Sequence, residues 1–124
     1  MKAMVIDDSR AIRMVLSRIL KSIGFEEVCE AEHGKAAIEI LEKEGPVDLA
    51  LVDWNMPEMN GLEFVQAARA ISAYDDMKLV MVTTETEMSR MITALEAGAN
   101  EYVMKPFTKE VLIDKLAIIG IEVE

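Results

Sequence analysis

A chain of 124 residues, 52% of them hydrophobic, carries enough apolar material for one core and too little length for two. Its formal charge of −10 speaks against nucleic acid and against anionic membrane surfaces, since both need a basic footprint. With one cysteine, Cys29, and one histidine, His33, an internal disulfide and a zinc-type ligand set are excluded as well.

The elements follow in strict alternation. Residues 2–6 read as a first strand. Ser9 caps a helix whose apolar positions Ile12, Val15, Leu16, Ile19, Leu20 and Ile23 keep helical spacing, with Gly24 as its stop. Residues 25–31 read as a weak second strand, in which Cys29 is expected to be small and buried. A helix over 34–44 ends at Gly45-Pro46. Seven glutamates fall between positions 26 and 44, the pattern of a solvated acidic flank. The run 47–53 is a continuously apolar third strand closing on Asp53. Asn60 with Glu63 makes a capping-box start to a helix reaching about Ile71. Residues 79–83 form a fourth strand, 87–97 a helix stopped by Gly98, 101–104 a short fifth strand, and Thr108 caps a last helix through about Ile119. Alternation of this kind is the mark of βαβ units on a parallel sheet with helices on both faces, an α/β fold that uses residues 1–124 as one domain. No charged-then-apolar leader and no run of about 18 apolar residues is present, so a cytoplasmic protein is expected.

In open sheets of this kind the chemistry lies outside the carboxyl ends of the strands. Four of the five strands deliver a charged or hydroxyl group there: Asp7 and Asp8 after the first, Asp53 on the third, Thr83 on the fourth and Lys105 after the fifth. Taken singly, each has an ordinary explanation, such as a helix cap, a polar turn or a strand-end hydroxyl. Their convergence is what suggests a site. Three carboxylates in one pocket repel one another unless a cation intervenes, and an oxygen-only ligand set selects a hard divalent ion, with Mg²⁺ the natural choice.

With Asp53-Trp54-Asn55-Met56-Pro57, Met81-Val82-Thr83, Ala97-Gly98-Ala99 and Tyr102-Val103-Met104-Lys105-Pro106-Phe107-Thr108 added, the chain resembles a response-regulator receiver domain along essentially its whole length. Within that family it is most similar to the stand-alone chemotaxis regulators. The resemblance implies a doubly wound, flavodoxin-like (βα)5 fold of strand order 2-1-3-4-5. It makes Asp53 the acceptor of a phosphoryl group from a sensor histidine kinase. Asp8, Asp53 and the backbone carbonyl of Asn55 would bind Mg²⁺, with Asp7 acting through water; Thr83 and Lys105 would contact the phosphoryl oxygens. The Lys105-Pro106 peptide would be cis, and Asn55 and Glu85 would tune the lifetime of the acyl phosphate. Thr83 and Tyr102 would relay the change to an output face on the fourth helix, fifth strand and fifth helix. Candidate residues there are Met88, Met91, Leu95, Tyr102, Lys115 and Ile118. The start of the fourth helix, basic in the chemotaxis regulators, here reads Glu87-Met88, and Thr84 stands where alanine is common.

The implied function is a phosphorylation switch, not an enzyme acting on separate substrates. Its downstream partner would be a protein such as a flagellar switch component, a phosphatase or a phosphotransfer protein. The alternative is a phosphorelay intermediate or phosphate sink. An aspartyl phosphatase is disfavoured because Asn55 stands where a second carboxylate would act as general acid. A flavin module is disfavoured because no Gly/Ser/Thr-rich phosphate loop follows the first strand.

Overall fold

Strands that are apolar at consecutive positions must be covered on both faces, and this requirement decides the architecture. The structure is a computed structural model; it describes residues 1–84, 88–105 and 107–123, with Met88 described by its backbone alone. Among these residues, β1 (Lys2–Ile6), β2 (Glu27–Ala31), β3 (Leu49–Asp53), β4 (Lys78–Thr83) and β5 (Glu101–Met104) form one parallel sheet in the order β2-β1-β3-β4-β5. The helices between and after them are α1 (Arg10–Ser22), α2 (Gly34–Glu44), α3 (Gly61–Arg69), α4 (Met88–Ala97) and α5 (Lys109–Ile118). The expected α/β architecture and strand order are therefore present.

Alternation along each strand divides the core in two. Ala3, Val5, Leu49, Leu51, Val80 and Val82 pack with Leu16 and Leu20 of α1 and Leu112 and Leu116 of α5. Met4, Ile6, Ala50, Val52, Leu79 and Met81 point the other way, against Ala37 and Leu41 of α2, Phe64 and Ala68 of α3 and Ala94 of α4. Each fully buried Leu, Met or Phe contributes about 1.5–3 kcal/mol of apolar transfer. The two layers thus hold the sheet rigid beneath whatever its edge carries.

Local chemistry sets the boundaries. Ser9 accepts from the Ile12 N–H, Thr108 from the Val111 N–H, and Asn60 with Glu63 closes a reciprocal capping box, all as the sequence indicates. His33, which the sequence left without a role, caps α2 through Nδ1, accepting from the Ala36 N–H at 3.0 Å. Phe25 stays outside β2 because its N–H donates to the Leu20 carbonyl at the end of α1. Cys29 is half-buried rather than buried, since β2 is an edge strand, and its thiol lies 3.5 Å from the Ala3 carbonyl oxygen. The seven glutamates of the acidic flank are all exposed. α3 stops at Arg69, short of Ile71, and the chain tightens into a 3₁₀ turn, Ser72–Tyr74. Among the described residues, no helix is long and apolar enough to cross a membrane.

Candidate functional site

Register brings the strand ends level. Ile6 pairs with Ala31 and Val52, Asp53 with Val82, and Thr83 with Met104, so Asp7, Asp53, Thr83 and Lys105 emerge along one edge of the sheet. β1 and β3 are neighbours, which sets the Asp7-Asp8 pair beside Asp53. One carboxylate oxygen from each of Asp7, Asp8 and Asp53 lies within 4.8 Å of the others. These three were expected together, and they are.

Each carboxylate is held differently. Asp7 is only 2% exposed; its Oδ1 accepts from the Ser9 N–H at 2.8 Å and its Oδ2 from the Lys105 ammonium at 3.2 Å. Arg13, one turn into α1, donates to the Asp7 carbonyl at 2.7 Å while its Nε pairs with Glu30 at 3.1 Å, fixing the backbone that carries Asp7. Asp8 is exposed. Asp53 Oδ1 accepts from the Trp54 N–H at 3.0 Å and lies 3.6 Å from Lys105 Nζ. Lys105 thus reaches two of the three carboxylates from 98 residues away in sequence from Asp7.

One ammonium does not offset three carboxylates. Burial, and then the neighbouring Asp7, push the Asp53 carboxyl up from 3.8 to about 6, against the opposing pull of Lys105 and the Trp54 N–H, with Asp8 adding to the rise. At neutral pH the group is therefore an anion held at a cost. The cluster suits a hard divalent cation on chemical grounds: its donors are oxygens alone, they carry excess negative charge, and Asp8 leaves one side open to water.

The loop after Asp53 is tightly formed. Met59 donates to the Pro57 carbonyl at 2.6 Å across Glu58, whose φ of 66° makes this a γ-turn with a non-glycine residue in the left-handed region. Gly61 then opens α3. Its N–H donates to the Trp54 carbonyl at 2.9 Å, and a Cβ there would collide with the Asp53 carbonyl oxygen and the Met81 methyl group. Asn55 is exposed in the turn, two residues beyond Asp53. Thr83 is buried at the end of β4, 3% exposed.

Toward the expected output face, Tyr102 is half-buried on β5, Leu95 and Ile118 are exposed, and Lys115 lies 4.6 Å from the Tyr102 ring centroid. Met91 is a correction. It was expected as a candidate on the output face, but it is 2% exposed and turned inward, whereas Ile92 and Leu95 of the same helix face solvent. Helical spacing had identified a stripe without saying which edge of it meets the sheet. Glu85, Glu87 and Pro106 lie outside the described residues, as does the side chain of Met88. Arg13, Gly61 and Arg90, whose guanidinium lies 5.5 Å from the Trp54 ring centroid, are not among the expected site residues. Only the Gly61 position, directly after a capping asparagine, left a signal that could have been read.

Comparison with known proteins agrees with this geometry. Residues 3–117 match the model of the response regulator receiver domain. A Campylobacter jejuni protein named as a chemotaxis protein CheY homolog is 49% identical over 116 residues, 94% of this chain and 89% of its own. Chemotaxis protein CheY1 of Helicobacter pylori is 44% identical over 119 residues, 96% of both chains. Among solved structures, chemotaxis protein CheY4 of Vibrio cholerae superposes with a TM-score of 0.86 at 36% identity, covering 95% of this chain and 97% of that one. With the fold, the carboxylate cluster and these likenesses in agreement, the chain belongs to the response regulator receiver domain family.

Proposed function

We propose that this chain is a single-domain, chemotaxis-type response regulator that accepts a phosphoryl group on Asp53 and thereby changes which protein it binds. The observation that carries this reading is the cluster itself: three carboxylates within 4.8 Å, with a single lysine bridging Asp7 and Asp53. Likeness to proteins named for chemotaxis supports the biological setting, a cytoplasmic two-component system with a histidine kinase as donor and a component such as the flagellar switch as target.

In this mechanism an Asp53 carboxylate oxygen attacks the phosphorus of a phosphohistidine. The P–N bond breaks, and the departing imidazole keeps the electron pair and takes up a proton. Asp8, Asp53 and the Asn55 carbonyl would hold Mg²⁺, with Asp7 bound through water; the ion supplies positive charge against the transferring oxygens. Lys105 would add its own positive charge, its ammonium turning from Asp7 and Asp53 toward the phosphoryl oxygens. The Thr83 hydroxyl follows, Tyr102 moves toward the space it leaves, and the surface of α4, β5 and α5 changes. Asn55, and Glu85 as the family likeness implies, would tune how fast water removes the acyl phosphate.

Incubation with Mg²⁺ and a small phosphodonor, read by intact-protein mass, tests the reading. The wild type should gain one phosphoryl group and Asp53→Asn none, while Lys105→Ala should bind metal yet switch poorly. Labelling of Asp53→Asn at the wild-type rate would overturn it.

A further inference from the structure

Glu101 and Lys115 meet at Tyr102 in an arrangement that a surface ion pair alone does not require. Lys115 Nζ lies 3.6 Å from Glu101 Oε1 and 4.6 Å from the centroid of the Tyr102 ring. The same Glu101 oxygen accepts from the Tyr102 N–H at 2.9 Å. One carboxylate therefore holds the backbone of Tyr102 and also the cation that covers its ring. Both partners are partly withdrawn from water, with side-chain exposures of 15% for Glu101 and 28% for Lys115, so screening weakens the pair less than it would an open one.

We infer that Glu101 and Lys115 are positioning residues that strap the Tyr102 ring in its resting place and so set the threshold of the switch. The inference rests on the proposed phosphorylation switch and adds its regulation. If Tyr102 leaves its place, Lys115 loses the ring face, and a partly desolvated ammonium gives up its cation–π contact. That loss biases the equilibrium toward the conformation seen, and phosphorylation at Asp53 must work against it. Glu101 acts at one remove: among the described residues it is the carboxylate that pairs with Lys115 beside the ring.

The test uses the full chain with isotope-labelled tyrosine rings, read by NMR, and beryllofluoride with Mg²⁺ as the phosphoryl mimic. Only two tyrosines are present, so Tyr74→Phe identifies the Tyr102 signal, and the buried Tyr74 signal reports that each variant is folded. In mimic-free Glu101→Gln and Lys115→Gln, the Tyr102 signal should lie part of the way toward its mimic-bound position. The mimic concentration at half-change should fall roughly 3- to 10-fold, the scale of one partly desolvated cation–π contact. Lys115→Arg keeps a cation over the ring and should stay near wild type. If the mimic moves Tyr102 in wild type but both glutamine variants behave like wild type, the strap is overturned and the switch stands. If the mimic leaves Tyr102 unmoved in wild type, the switch falls and the strap falls with it.

Discussion

The two edges of the sheet treat charge in opposite ways. At the carboxyl edge, three carboxylates cluster around one lysine that pairs with two of them, Asp7 and Asp53, and burial, then Asp7, pushes Asp53 up to about 6. At the amino edge, Arg69 at the end of α3 donates to the carbonyls of Gly98, Tyr74, Asp75 and Met77 and to Asn100 Oδ1, all within 3.2 Å. Asn100 Oδ1 also accepts from the Leu79 N–H, so one guanidinium ties the end of α4 and the start of β4 to α3. Burial draws Arg69 below its ordinary value, yet arginine stays charged and its fork is filled by neutral acceptors. One edge is satisfied internally and stabilises the fold; the other, among the described residues, keeps more carboxylates than cations.

Breaking the satisfied edge should have the largest effect on stability. Arg69→Ala leaves several carbonyls without their shared donor and should cost about 3 kcal/mol in denaturant unfolding. A loss under about 1 kcal/mol would mean that water replaces the guanidinium freely and that the two edges do not differ as described. Gly61→Ala probes how tightly the site edge is built. Its new methyl group meets the Asp53 carbonyl oxygen and should destabilise by about 2 kcal/mol, with a shift in Trp54 fluorescence because the loop must move.

Removing charge from the unsatisfied edge should do the reverse. Asp53→Asn should stabilise the metal-free protein at pH 7 by on the order of 1–2 kcal/mol, allowing for solvent screening at the open pocket. The sign follows from the raised value: the fold favours protonated Asp53, so this contribution is present below about 3.8 and lost as pH rises through about 6. The gap between variant and wild type should therefore be closed in acid and open between those limits. A gap independent of pH would locate the strain elsewhere. The smallest expected effect is Glu58→Gly, which relieves the left-handed φ at the γ-turn and should raise stability by roughly 0.5–1 kcal/mol with labelling of Asp53 retained.

The same contrast explains what could be read from the residues. Strand ends that pass from Val, Leu and Ile into Asp7, Asp53, Thr83 and Lys105 announce the charged edge, because a two-sided apolar run fixes where each strand stops. Arg69 announces nothing. Four of its five partners are backbone carbonyls, which look the same in any sequence, and the fifth is Asn100, 31 positions away. Met91 was misplaced for a related reason: periodicity finds a face but not its orientation, and that depends on how α4 meets β4 and α3. In the sequence Glu101 is simply the first residue of a short strand. Only the turn of α5 back toward β5 brings Lys115 onto it.

The central claim, that the carboxyl edge carries unrelieved negative charge that a divalent ion would offset, is tested most directly by thermal unfolding with and without Mg²⁺ at pH 7. Wild type should melt at a higher temperature with Mg²⁺, while Asp53→Asn, already relieved of one charge and lacking a ligand, should start higher and respond much less. An equal response in the two proteins, or none in wild type, would contradict it.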